Sequence, residues 1–195
     1  MSSIGVYSNT DKCEERRELD FYPTPWQATE ALLLAERGCL SPHDEIWEPA
    51  CGDGAISEVV KLHGYHVVST DIADRGYGGV LDFLKADVSP AKAVITNPPF
   101  VVAEEFIRHC DKLRIDYFAM LLKCNYFHAD CRVALFRDVT PTRIYPLSWR
   151  LDFTGGGANH FDCMWVVWDM CAYMNHCRYM PPLQRPEILG QQHLL

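Results

Sequence analysis

Short apolar runs alternate with amphipathic stretches along this chain, in the rhythm of an α/β protein built on a parallel sheet. Residues 45–47, 66–70, 93–96 and 117–122 are apolar or β-branched runs bounded by turn residues, and they read as strands. Helical periodicity falls between them, over 55–62, 103–113 and 130–136. The first helix opens at Thr24 with a capping-box pattern: Thr24 as N-cap, Pro25 at the first helical position and Gln27 three residues on. Gly38 is its expected stop. Residues 72–79 hold three glycines and read as loop, and 80–84 as a short strand or turn. Two later apolar runs, 143–153 and 161–168, flank Thr154-Gly155-Gly156-Gly157-Ala158-Asn159-His160 and read as an antiparallel pair joined by a flexible loop. Beyond Asp169 the pattern fades.

Size fits this picture, because 195 residues suit one domain around a single sizeable core. The expected organisation is a polar segment over 1–20, one folded domain over 21–170 and a tail over 171–195. No apolar run approaches the ~18 residues of a membrane span, and the polar N-terminus lacks the apolar centre of a secretory signal, so a cytoplasmic location is expected. The nine cysteines are odd in number and irregularly spaced, and Cys110, Cys124 and Cys163 sit in apolar segments as buried free thiols do. Cys163, Cys171, His176 and Cys177 could be drawn as a zinc set, but their spacing matches no standard finger, and no metal is expected. Trp149, Trp165 and Trp168 read as core. The net charge of −8 argues against indiscriminate nucleic-acid binding, which depends on phosphate neutralisation. A locally basic cleft remains open to it, and Lys123, Arg132, Arg137, Arg143 and Arg150 are the densest basic stretch of the second half.

Two motifs carry chemistry. In Glu48-Pro49-Ala50-Cys51-Gly52-Asp53-Gly54, glycines between a strand and a helix let backbone approach a ligand and aim the helix N-terminus at it. Seventeen residues after Gly54, Asp71 closes the second strand, where a carboxylate can accept both hydroxyls of a ribose. Ser57 stands where a third glycine would complete a dinucleotide fingerprint, so a smaller adenosine ligand is expected. The second motif is Asn97-Pro98-Pro99-Phe100, straight after a buried strand. Two prolines fix the backbone and remove donors, leaving turn carbonyls to face a ligand. Asn97 adds an acceptor and Phe100 a flat face for a base. Two acceptors facing an exocyclic amino group would hold both its hydrogens.

These motifs, with Phe21-Tyr22-Pro23-Thr24-Pro25 upstream, resemble the class I amino-methyltransferases, especially phage and bacterial DNA adenine-N6 methylases. The likeness covers roughly residues 21–168. It implies a Rossmann-like α/β fold, a mostly parallel sheet with an antiparallel C-terminal strand, and S-adenosylmethionine as cofactor. It further implies that Gly52 and Gly54 line the methionine part of the cofactor, with Glu48 near the amino group and Thr24 by the carboxylate. Asp71 would hold the ribose and Asp82 the adenine amino group, with Phe83 beside the ring. Asn97, Pro98, Pro99 and Phe100 would form the catalytic turn around the target base. The tetrad by itself does not separate adenine N6, cytosine N4 and glutamine N5; the implied reaction is methylation of adenine N6 in DNA, with RNA as the alternative substrate and a catalytically silent nucleic-acid-binding subunit as the rival. Oligomeric state and recognition sequence leave no mark in the sequence.

Overall fold

The structure is a computed structural model that describes residues 23–40, 43–153, 160–172 and 177–190. In chain order it contains α1 (Trp26–Leu40), β1 (Glu45–Glu48), α2 (Ala55–Leu62), β2 (His66–Asp71), β3 (Gly79–Val80), β4 (Ala93–Thr96) and α3 (Ala103–Lys112). There follow β5 (Tyr117–Lys123), α4 (Val133–Asp138), β6 (Arg143–Pro146), β7 (Leu151–Asp152), β8 (His160–Phe161), β9 (Cys163–Asp169) and β10 (Arg178–Tyr179). Eight strands form one sheet in the order β10-β6-β9-β5-β4-β1-β2-β3. All its pairs are parallel except those of β9, which runs antiparallel to both β5 and β6. The order reverses between β1 and β4, so a crevice opens at the C-terminal ends of those strands, the usual ligand position in an open α/β sheet.

Each strand's alternation feeds two cores. Phe118, Met120 and Leu122 of β5 join Trp168 of β9, with Phe106 and Ile107 of α3, on one face. Ala119 and Leu121 join Trp165, Val167, Leu32 and Leu33 on the other. Trp165 and Trp168 are fully buried and Trp149 packs partly buried against the second core, as expected of core tryptophans.

Several elements differ from expectation. The first helix begins at Trp26 and runs through Gly38 to Leu40, because Leu40 is fully buried and Gly38 does not take the left-handed conformation of a helix stop. The 130–136 helix splits into a 3-10 turn (Asp130–Arg132) and α4. The two late apolar runs do pair antiparallel, β6 with β9 and the short β7 with β8, while residues 154–159 of the connecting loop lie outside the described residues. The tail also contributes: β10 extends the sheet beside β6, Leu183 bridges Leu147, and the Gly190 N–H reaches Glu30.

Arg143 is no phosphate contact. It donates two hydrogen bonds of 2.7 Å to the fully buried Glu36 and one of 2.9 Å to Asp169. The hydroxyls of Tyr117 and Tyr145 donate to the same Glu36. This network ties α1 to β5, β6 and β9 at the sheet edge opposite the crevice.

Candidate functional site

A cleft opens at the C-terminal ends of β1, β2 and β4. Pro23, Thr24, Glu48, Asp71, Asp82, Phe83 and all four residues of Asn97-Pro98-Pro99-Phe100 line it. Every candidate that carries a side chain therefore meets in one space, although up to 76 residues of chain separate them. The convergence follows from the parallel sheet, which delivers the end of each strand to the same edge.

The two glycines play a different part from the one expected. Neither lines the cleft, whereas Ala50, Cys51, Asp53 and Ala55 do. Gly52 takes a left-handed φ of 55° and donates its N–H to Asp71 Oδ2 at 2.8 Å. Gly54, at φ 90°, lies under the Tyr77 ring, where an added Cβ would come within 2.5 Å. Tyr77 is held there by Glu58 and Lys61 of α2. The glycines thus set the loop's shape, and the 72–78 loop, unremarkable in sequence, packs over it.

Asp71 is nearly buried. One oxygen accepts the Gly52 N–H, and the other accepts Ala73 N–H at 3.1 Å and faces Arg75 at 3.8 Å. Each carboxylate oxygen offers two lone-pair sites, so the group retains capacity toward the cleft. Glu48 is also buried and takes a hydrogen bond from Ser57, whose hydroxyl also meets Ser69 at 2.7 Å. Ser57, absent from the dinucleotide fingerprint, therefore belongs to the loop's polar support. Burial pushes the Glu48 carboxyl well above the ordinary carboxylate range, the Ser57 hydrogen bonds oppose this, and nearby Asp71 and Asp53 raise it further.

Asp82 accepts Leu84 N–H at 3.1 Å and pairs with Lys85 at 3.0 Å, which fixes it at the head of a 3-10 turn (Phe83–Lys85) on the cleft wall. Phe83 packs against Trp47, Phe106 and His109 in the core and also lines the cleft.

Thr96 ends β4 and Asn97 follows it. Asn97 Nδ2 donates to Thr24 Oγ1 at 3.0 Å, which orients the amide, and its Oδ1 is buried with no described partner. Thr24, read from sequence as a helix cap, instead holds this asparagine. Pro99 differs from expectation: its carbonyl already accepts Val102 N–H at 3.0 Å in a 3-10 turn (Phe100–Val102). No described donor takes the Pro98 carbonyl. Buried polar atoms are rarely left unpaired, so Asn97 Oδ1 in a cleft wall marks a place for a donor from a ligand.

Of the other basic candidates, Arg132 lies over the Tyr126 ring at 3.8 Å, Arg137 pairs with Asp138, and Arg150 pairs with Asp162. The drawn zinc set does not assemble. Cys163 and Asp169 end β9, about 20 Å apart at strand rise, which separates Cys163 from Cys171. His176 lies outside the described residues, and no group of three metal-ligating side chains occurs among the described ones. No described helix is long and apolar enough to cross a membrane. Sequence reading missed Ile72, Arg75, Leu84, Val102, Phe106 and Phe153 in the cleft wall, since nothing local distinguishes them from core or loop residues.

No family model matches the chain, and no curated protein does. Solved structures do. A predicted RNA methyltransferase from Pyrococcus horikoshii aligns with TM-score 0.60 at 15% identity, over 75% of this chain and 84% of that one. A predicted class I S-adenosylmethionine-dependent methyltransferase from Listeria monocytogenes aligns with TM-score 0.63 at 12% identity, over 92% and 68%. The modification subunit of a predicted type I restriction enzyme from Vibrio vulnificus aligns with TM-score 0.60 at 11% identity, over 92% and 53%. With strand order and neighbours in agreement, the chain has the Rossmann-like fold of the class I methyltransferases.

Proposed function

We propose that this protein transfers a methyl group from S-adenosylmethionine to the exocyclic amino nitrogen of a planar base, N6 of adenine in DNA. The observation that carries the reading is Asn97: it lines the cleft, its Oδ1 is buried with no partner among the described residues, and Thr24 fixes the amide's direction.

The cleft fits the cofactor residue by residue. Buried Glu48, held by Ser57 and with Asp71 and Asp53 nearby, suits the ammonium of the methionine part. Asp71 has lone pairs for the ribose hydroxyls, and Asp82 and Phe83 offer an acceptor and a flat wall to the adenine. When bound, S-adenosylmethionine supplies an activated methyl group on a cationic sulfur.

The protein's own part is positional. Asn97 Oδ1 accepts one amino hydrogen of the target base and the Pro98 carbonyl the other. The two hydrogen bonds hold the amino group and favour a pyramidal nitrogen, freeing a lone pair otherwise delocalised into the ring. Phe100 supports the base by stacking, worth ~1–3 kcal/mol. Fixed geometry supplies most of the acceleration, and no side chain needs to act as a strong base. A base in a duplex must leave the stack to reach this cleft. The likenesses to an RNA methyltransferase and to a restriction-modification subunit are consistent with a nucleic-acid substrate.

Label transfer tests the reading. The protein is incubated with methyl-labelled cofactor and, separately, DNA, RNA or a glutamine-containing peptide, and the products are digested. Label in N6-methyldeoxyadenosine is expected. Label in N6-methyladenosine would make RNA the substrate, and label in the peptide alone would overturn the base assignment.

Glu48 gives a second test, through pH. Its folded-state pKa lies above the unfolded value, so its contribution to stability is full at low pH and is lost as pH rises through the raised pKa. A cation beside it favours the ionised form. Affinity for S-adenosylhomocysteine should therefore tighten as pH rises through that raised range and then level off, with proton release on binding. Glu48→Gln should weaken binding roughly 10- to 150-fold, the loss of a charged hydrogen bond, while keeping or raising the stability of the free protein. Calorimetric titration across pH reads both effects. A flat pH profile together with unchanged Glu48→Gln affinity would remove Glu48 from the cofactor site.

A further inference from the structure

Lys123 is the last residue of β5, and its backbone is fixed by pairing with Cys163 of β9. Its ammonium stands 4.5 Å from the Phe100 ring centroid and 4.6 Å from that of Phe161. Unlike Arg132, Arg137, Arg143 and Arg150, it meets no carboxylate or carbonyl among the described residues, and these two rings are its partners. Phe100 belongs to the catalytic turn, and Phe161 lies on the β7–β8 ribbon outside the main sheet. The two rings are 6.4 Å apart and inclined at 55°. A planar base between two parallel rings needs about 7–8 Å, two van der Waals contacts. The rings thus form a slot slightly too narrow and too splayed for a base, with a cation at its mouth.

The geometry points to Lys123 as the positioning residue that makes this site selective for a base carried on a phosphodiester strand, an inference that rests on the nucleic-acid reading above. A base that stacks on Phe100, with Phe161 closing on its other face, takes the place of the ammonium. The displaced cation loses its cation–π contacts and requires an anion. A strand brings one, the phosphate next to the extruded nucleotide, within the swing of the lysine stem. A free nucleoside or a glutamine carboxamide brings none, so for these the exchange is a net loss. The acidic body, net charge −8, repels phosphates elsewhere, which increases the weight of one well-placed cation.

The experiment compares wild type with Lys123→Met and Lys123→Arg, each saturated with S-adenosylhomocysteine. Binding of an adenine-containing single-stranded DNA oligonucleotide and of free adenosine is measured over a range of salt. Lys123→Met should bind the oligonucleotide roughly tenfold more weakly. Its slope of log affinity against log salt should fall by about 0.7, one phosphate contact on a single strand. Adenosine should bind Lys123→Met as well as wild type or better, because its competitor for the rings is gone. Lys123→Arg should retain most of the oligonucleotide affinity. An unchanged salt slope, or equal losses for oligonucleotide and adenosine, would overturn the role of Lys123. Methyl transfer to adenine by wild type is measured alongside. If it occurs while the slope is unchanged, only the lysine inference falls. If wild type neither binds nor methylates nucleic acid, both fall.

Discussion

Replacing Asn97 by alanine is expected to slow methyl transfer by ~10²–10³ at saturating cofactor, the usual loss for one preorganised polar contact in an active site. The expectation rests on two features of the same side chain. Its Oδ1 is buried without a described partner, so its desolvation is offset only when a donor arrives. Its Nδ2 bond to Thr24 at 3.0 Å keeps the amide from rotating that oxygen away. The effect should fall on turnover, with affinity for S-adenosylhomocysteine within about threefold of wild type. Thr24→Val tests the support separately: it keeps the acceptor but releases the amide, and should cost an intermediate amount of rate. Phe100→Ala should behave differently, weakening substrate binding together with rate, because stacking serves the base before reaction as well as during it. Tyrosine or tryptophan at position 100 should rescue much of that loss and leucine should not. Single-turnover rates beside calorimetric cofactor titration distinguish these cases. Wild-type turnover by Asn97→Ala would reduce the turn to a structural device.

Arg143→Met should destabilise the fold by about 3–5 kcal/mol while leaving the chemistry of any remaining folded protein intact. The substitution keeps much of the volume but strands Glu36, which is fully buried and receives Arg143 bidentately. Tyr117 and Tyr145 still donate to Glu36, but neutral hydroxyls do not cancel its charge. The loss is a large share of the 5–15 kcal/mol that holds a typical domain. Urea denaturation should show a lower midpoint, and low temperature should restore cofactor binding. The double variant Glu36→Gln, Arg143→Met should recover part of the stability, because it removes the orphaned charge. A single variant as stable as wild type, with its DNA affinity reduced instead, would return Arg143 to the phosphate-binding role its position in a basic stretch suggested.

Arg143 illustrates where sequence reading stops. In the chain it is one of several cations spread between 123 and 150, and a buried ion pair looks the same as a solvated one until a partner 107 residues away is brought beside it. Lys123 is the converse. It carried no more signal than its neighbours, and its place between Phe100 and Phe161 depends on β5, β8 and the Asn97–Phe100 turn meeting. Tyr77 over Gly54 and the tail strand β10 were equally invisible, since a two-residue strand and a loop tyrosine have no periodicity to read.

The sequence by itself determined the central strands, the helices between them and the chemistry-bearing motifs. Strands such as β4 and β5 are apolar because both sheet faces are covered, and that requirement is written residue by residue. The strand–glycine-loop–helix around Gly52 and Gly54 and the two prolines after Asn97 are local backbone constraints, so they too are legible without a fold. Tertiary structure alone decided which polar groups are spent and which remain. Pro99 gives its carbonyl to Val102, Gly52 gives its N–H to Asp71, and Thr24 turns from helix cap to holder of Asn97. Each of these outcomes depends on distances between distant parts of the chain, because a hydrogen bond forms only when donor and acceptor come within about 3 Å. The same distances leave Asn97, a residue of the cleft wall, with an Oδ1 that has no partner among the described residues.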